Sequence, residues 1–276
     1  MLRIGPLEFD VPTVMGVLNV TPDSFSDGGK FLTRDAALRR AESMAAAGAS
    51  IIDVGGESTR PGSGDVSEQE ELDRVLPVIE GVIGGVDTAL SIDTSKPGVM
   101  REAIAAGASM INDIRALRED GALKAAVELQ VPVCLMHMQG QPRTMQERPT
   151  YDNVIAEVKG FLAERIATCR EAGLDEELLI VDPGFGFGKT RQHNIELLAN
   201  LRQLEQLGCP ILAGLSKKAT LGELTGRDVD ERMPASVAAA VIAVMRGADV
   251  VRVHDVRETV DALRIAAAVM ESDRSI

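Results

Sequence analysis

Nine polar or charged side chains stand at the ends of short apolar runs: Asn19, Asp53, Asp93, Asn112, His137, Asp182, Lys218, Arg252 and His254. A single Asp after a strand is ordinarily the N-cap of the next helix. Nine such groups exceed what capping needs, and in a barrel of alternating strands and helices all the strand ends open on one face. Three groupings define the chemistry on offer. Asp53, Asp93 and Asn112 follow the second, third and fourth runs, and Asp182 follows the sixth. Carboxylates and amides in that number suit a planar ring with several N–H donors, because an ionised carboxylate accepts two parallel N–H bonds. They would also suit a divalent metal, but no H-x-H or E-x-x-H spacing accompanies them. Arg252 and His254 lie two apart on one run and so share a face. Arg60, on the loop after the second run, adds a cation, and together the three offer a diphosphate site. The plain alternative is that Arg252 pairs at the surface with Asp249 or Asp255. The third grouping is glycine-rich: Asp27-Gly28-Gly29, Gly55-Gly56 and Asp182-Pro183-Gly184-Phe185-Gly186-Phe187-Gly188-Lys189. The last is not the phosphate-loop pattern G-x-x-x-x-G-K-[ST], since Pro183 stands where that pattern has its first Gly. It reads as a flexible wall that lets Phe187 face a flat ligand. No nucleophile assembly is evident, since Ser24, Ser26 and Ser58 lack a G-x-S-x-G context. His137 in Leu135-Met136-His137-Met138 could be catalytic, but reads first as a satisfied histidine at a strand end.

The elements that must position these groups alternate along the chain. β-branched apolar runs at Thr13–Val20, Ser50–Val54, Ala89–Ile92, Ser109–Ile111, Val131–Met136, Leu178–Val181, Ile211–Leu215 and Asp249–Val253 are separated by stretches long enough for crossover helices. Such alternation implies a parallel sheet. Eight units imply a closed (β/α)8 TIM barrel, which takes about 250 residues, so residues 1–276 are expected to form a single domain. An internal echo supports this: Gly48, Gly107 and Gly247 each precede an apolar run that ends, five positions on, in a polar residue, Asp53, Asn112 and Arg252.

The formal net charge of −13 argues against a nucleic-acid or anionic-membrane binder. Three cysteines without a C-x-x-C pair argue against a disulfide framework or zinc site and point to a reducing cytoplasm. Met1 to Thr13 lacks the pattern of a signal peptide, and no apolar run approaches the ~20 residues of a membrane span.

Two long motifs carry a resemblance. Met15-Gly16-Val17-Leu18-Asn19-Val20-Thr21-Pro22-Asp23-Ser24-Phe25-Ser26-Asp27-Gly28-Gly29 resembles the first signature of the dihydropteroate synthases, and Asp53-Val54-Gly55-Gly56-Glu57-Ser58-Thr59-Arg60-Pro61-Gly62 resembles the second. Ser91-Ile92-Asp93-Thr94, Ile111-Asn112-Asp113, Leu135-Met136-His137-Met138, the Asp182–Lys189 segment and Arg252-Val253-His254-Asp255-Val256 follow in that family's order, so the likeness runs from about Met15 to Val260. The resemblance implies a transferase of folate biosynthesis and a sulfonamide target. It would join 6-hydroxymethyl-7,8-dihydropterin diphosphate to 4-aminobenzoate, giving 7,8-dihydropteroate and pyrophosphate. By the same resemblance Asp53, Asp93, Asn112, Met136, Asp182, Phe187, Lys218 and Arg252 hold the pterin, with Arg252 over its face. Asn19, Thr59, Arg60, Arg252 and His254 gather around the diphosphate, with Mg2+ at Asn19. Phe25, Pro61, Phe187, Lys218 and Ala219 meet 4-aminobenzoate, and Arg252, His254, Lys218 and Asp93 do the catalysis. The loops through Phe25 and Pro61 would close over the second substrate. A homodimer through the late helices is also implied.

The chain departs from the family at Ser216-Lys217-Lys218-Ala219, where Ser-Arg-Lys followed by Ser or Arg is usual. Lys217 in place of Arg and the missing hydroxyl at Ala219 bear on benzoate affinity, since Arg and Lys are not interchangeable in bidentate contacts. No side chain stands as a nucleophile, and the aniline nitrogen is neutral at pH 7. An SN1-like substitution is therefore expected. The alternative activity is a pterin-binding domain that presents methyltetrahydrofolate to a cobalamin protein, which gives no reason for the Ser58–Gly62 and Thr21–Gly29 loops.

Overall fold

The structure is a computed structural model and describes residues 2–21, 30–58, 64, 66–142 and 144–273. The chain opens with a small antiparallel hairpin, β1 (Leu2–Ile4) and β2 (Leu7–Phe9). Eight strands then alternate with helices: β3 (Thr13–Asn19), α1 (Lys30–Ala46), β4 (Ile51–Gly55), α2 (Glu68–Ile83), β5 (Ala89–Asp93), α3 (Pro97–Ala105), β6 (Met110–Asp113), α4 (Ala122–Leu129), β7 (Val133–Met136), α5 (Val154–Glu171), β8 (Leu179–Asp182), α6 (Arg191–Ala199), β9 (Leu212–Ala213), α7 (Ala219–Thr225), α8 (Met233–Met245), β10 (Val250–Val253) and α9 (Val256–Asp273). The eight pair in parallel in the order β8-β7-β6-β5-β4-β3-β10-β9. A bridge from Val181 to Ile211 joins the two ends of that order, closing the TIM barrel. All eight expected runs become strands. The seventh is the most reduced, to Leu212–Ala213.

Period-two alternation sorts each strand into outward and inward residues. Outward side chains such as Ile52, Leu90, Ile111, Val133, Leu179 and Val251 join the large core beneath the helices. The first inward positions are apolar: Met15, Ile51, Ala89, Met110, Cys134, Ile180, Leu212 and Val250 pack together inside the barrel. Leu2 and Ile4 of the hairpin belong to the same cluster, so β1 seals the barrel floor, an element not foreseen from the sequence. Two residues further along each strand, the inward positions turn polar on most strands: Val17, Asp53, Ser91, Asn112, Met136, Asp182, Gly214 and Arg252. Two further on stand Asn19, Gly55 and Asp93, with His254 just past the end of β10. The sheet stagger sets Asn112 level with Asp93, and Gly55 is level with both Asn19 and Asp93. The barrel thus has an apolar floor and a polar mouth.

Candidate active site

At the centre of the mouth, Arg252 spans two carboxylates. Its Nε donates to Asp53 Oδ2 at 2.6 Å and its Nη2 to Asp93 Oδ2 at 2.7 Å. Asn112 Nδ2 donates to the same Asp53 oxygen at 2.9 Å. Asp53 is fully buried, and among the described residues nothing donates to its other oxygen, Oδ1. The surface pairing considered for Arg252 is not what forms. Asp249 Oδ2 accepts from the Ile211 amide at 2.8 Å, and Asp255 faces Lys217 Nζ at 3.3 Å. Burial disfavours the Arg252 charge, but Asp53 and Asp93 more than offset that and hold its pKa above the ordinary value. Burial pushes Asp93 up to about 7, against the pull of Arg252 and with reinforcement from Asp53. Two carboxylates sharing one guanidinium leave the mouth able to accept further N–H donors.

Asp182, at the end of β8, is 5% exposed, and its Oδ1 accepts from the Gly184 amide at 2.7 Å. Burial raises its pKa, opposed first by the charge of Lys218. Lys218 reaches in from the start of α7, donates to the Phe185 carbonyl and lies 4.7 Å above the Phe187 ring. Burial lowers it to about 8, with Asp182 opposing. An added Cβ at Gly214 would lie 3.8 Å from both Arg252 Cβ and Lys218 Nζ, so a larger side chain there would take the space where these cations meet. Met136 packs with Met138, Met145, Ile114 and Phe187 as an apolar patch beside Asp182.

The Asp182–Lys189 wall, expected to be flexible, is packed closely and hydrogen-bonded along its length. Gly184 and Gly188 have φ of +67° and +60°. A Cβ at either would meet a backbone carbonyl, His137 O at 1.8 Å or Gln139 O at 2.3 Å. The glycines allow this close approach to the segment after β7, and fixed partners then hold the backbone. Asn194 Oδ1 accepts from the Gly186 amide at 2.7 Å, and Tyr151 donates to the Gly188 carbonyl at 2.8 Å. Gln146 donates to the Gly186 carbonyl as well. His137 is buried, contacts Lys189 Nζ through Nδ1 at 2.9 Å and packs edge-on against Phe161. It is the satisfied strand-end histidine expected, and burial pulls its pKa down to about 2.

At the rim, His254 Nδ1 lies 3.0 Å from Ser216 Oγ, which also accepts the His254 amide proton at 3.2 Å. Asn19 closes β3, half-buried. Ala219 is exposed at the first residue of α7. Phe25, Thr59, Arg60 and Pro61 lie outside the described residues, as do most of the two loops expected to close over the second substrate. Ser91 and Ser216 were missed from the sequence. Ser91 is buried two residues before Asp93, on the same inward face, and its Oγ has no partner among the described residues. The strand period alone could have pointed to it.

The pterin-binding enzyme family matches residues 15–254. The chain is 53% identical over 266 residues to the dihydropteroate synthase of Escherichia coli strain K12, covering 96% of this chain and 94% of that one. Among solved structures, Xanthomonas albilineans dihydropteroate synthase with 4-aminobenzoic acid superposes with a TM-score of 0.90 at 54% identity, covering 95% of this chain and 94% of that one. The same organism's enzyme in complex with 7,8-dihydropteroate superposes with a TM-score of 0.88 at 51% identity, covering 96% and 95%. The chain belongs to the pterin-binding enzyme family. Within that family its activity is that of the dihydropteroate synthases, which decides against the cobalamin-linked alternative. It is a transferase of folate biosynthesis that condenses the pterin diphosphate with 4-aminobenzoate.

Proposed function

We propose that the inward side chains of the barrel mouth bind the dihydropterin ring by its edge, that the rim holds the diphosphate, and that the C–O bond breaks before the amine attacks. The observation that carries this reading is Asp53 Oδ1, a fully buried carboxylate oxygen without a hydrogen-bond partner among the described residues. Such an atom is costly unless a donor reaches it, and a pterin edge presents amino and ring N–H donors. Asp53, Asp182 and Asn112 would take that edge. Met136 and Phe187 would cover the ring, and Arg252 would stand at its face. Arg252 and His254, with Asn19, Thr59 and Arg60, would surround the diphosphate and stabilise the charge it gains on leaving. Asp93 and Asp182 would balance the positive charge left on the pterin methylene. The electron pair of the C–O bond goes to the diphosphate. The aniline nitrogen then forms the C–N bond and gives up one proton. Lys218 would serve both substrates, and Phe25, Pro61, Phe187 and Ala219 would line the 4-aminobenzoate side. Lys217 is paired with Asp255 at 3.3 Å, so a benzoate carboxylate would have to compete with Asp255 for it.

The donor chemistry at Asn19 fits Mg2+. A Cβ on Gly55 would lie 3.6 Å from Asn19 Oδ1 and 3.7 Å from Asp93 Oδ2, so oxygen donors flank that space. Mg2+ prefers oxygen, keeps several waters and takes phosphate oxygens, so one protein ligand suffices. Asn19 would hold it, and the ion when bound would neutralise charge on the departing diphosphate.

Exposed Ile242 and Met245 on α8 and Ile265 and Val269 on α9 support a homodimer through the late helices. Three free, buried thiols support a reducing, cytoplasmic setting. Among the described residues no helix is long and apolar enough to cross a membrane.

The test is to mix the purified chain with pterin diphosphate, 4-aminobenzoate and Mg2+ and to follow pyrophosphate and dihydropteroate. Wild-type chain should release both, and Asp53→Ala should lose pterin diphosphate affinity. Wild-type affinity in that variant would remove Asp53 from the site.

A further inference from the structure

Lys189 ends the glycine-rich wall and is 3% exposed. Its ammonium finds three acceptors: His137 Nδ1 at 2.9 Å, the Gly184 carbonyl at 2.9 Å and the Phe187 carbonyl at 3.1 Å. An ammonium has three donors and no acceptor, so the geometry matches the protonated form. His137 can accept only as the neutral imidazole, which its lowered pKa ensures. The two carbonyls belong to the residues that matter for the ring. Gly184 gives its amide to Asp182, and Phe187 carries the aromatic face. A buried charge is expensive, and an apolar side chain of similar length would fill the same space.

We propose that Lys189 is a positioning residue for the dihydropterin site: its ammonium locks the wall that carries Asp182 and Phe187 and supplies buried counter-charge to Asp182. It does not touch the substrate. It acts through the backbone of Gly184, whose amide donates to Asp182 and whose carbonyl accepts from Lys189, and through its field. The groups facing the pair are His137 from the end of β7, with Arg118 behind it, and Lys218 and Arg252 across the mouth. Burial raises Asp182, and Lys218, the Gly184 amide and Lys189 each oppose that rise. Burial lowers Lys189 to about 7, with Asp182 opposing, so below that pH it is charged. Removing it should let Asp182 take up a proton at higher pH, and a protonated Asp182 is a poorer acceptor.

This inference rests on the barrel mouth being the pterin site, so Asp182→Asn is measured alongside. Lys189→Met should raise the KM for pterin diphosphate by about tenfold or more, and the KM for 4-aminobenzoate, which shares only Phe187 of this wall, by clearly less. The acid limb of kcat/KM for pterin diphosphate should move to higher pH in Lys189→Met and stay in place in Lys189→Arg, which keeps the charge. An unmoved limb in Lys189→Met, or equal loss toward both substrates, would overturn the proposal while an impaired Asp182→Asn left the site reading intact. An unimpaired Asp182→Asn would sink the site reading itself. If Lys189→Met fails to fold, the nitrogen resonance of the wild-type Lys189 ammonium decides. It should shift when pterin diphosphate binds, and indifference to the ligand would overturn the proposal.

Discussion

Asp182→Asn separates charge from shape at the proposed pterin edge. The side chain is 5% exposed and its Oδ1 accepts the Gly184 amide at 2.7 Å. An Asn amide oxygen can keep that bond, which leaves an NH2 where the second carboxylate oxygen stood. The ring then loses one charge-assisted hydrogen bond, about 1.5–3 kcal/mol, and its own N–H is buried against a donor, about 1–3 kcal/mol more. The two overlap, and truncating one partner of a buried charged pair costs about 2–5 kcal/mol. At about 1.4 kcal/mol per decade that is roughly 30-fold to several-thousand-fold in Kd. Stability should change little, because the variant also removes a carboxylate whose ionisation burial disfavours. Calorimetry with pterin diphosphate near neutral pH, with the melting temperature as a check on folding, reads both quantities. A Kd within about threefold of wild type, in a variant that melts normally, would refute the reasoning.

Three other outcomes are expected. Lys218 is held at about 8 against an ordinary 10.5. Between those values the unfolded chain binds more protons, so this group's contribution to stability rises with pH. Pterin diphosphate affinity should fall across the same window as the cation is lost, with no such step in Lys218→Met; a flat wild-type titration would contradict it. Asn19→Ala should raise the Mg2+ concentration for half-maximal turnover by about tenfold, and an unchanged requirement would place the ion elsewhere. Ile4→Ala should lower stability in a denaturant titration by about 2–5 kcal/mol, since Ile4 is fully buried in the barrel floor. A loss below about 1 kcal/mol would mean the hairpin does not seal it.

The barrel was legible because each strand is an apolar run and each run ends in a group that needs a reason to be there. Asp53, Asn112, Asp182 and Arg252 were found as run ends, and the structure shows them as successive inward positions above Ile51, Met110, Ile180 and Val250. The hairpin was not legible: its strands are three residues each, too short for alternation to show. The close packing of the Asp182–Lys189 wall was not legible, because glycine permits both freedom and close approach. Only the positions of His137 O and Gln139 O distinguish the two. Lys189 drew no attention because its three acceptors lie on carbonyls and a histidine that local sequence does not bring together. Arg252 looked able to pair with its sequence neighbours, and its true partners are 199 and 159 residues away.

The dissociative step is tested most directly with pterin diphosphate carrying heavy oxygen in the bridge between the methylene carbon and phosphorus. The substrate is incubated with the chain and Mg2+ in the absence of 4-aminobenzoate. If the C–O bond breaks first, the freed diphosphate can rotate and recombine. The label should then spread into non-bridging positions of recovered substrate, with some pyrophosphate released. Label retained entirely in the bridge, by enzyme that turns over normally once 4-aminobenzoate is added, would contradict the mechanism, as would a stable pterin–protein adduct.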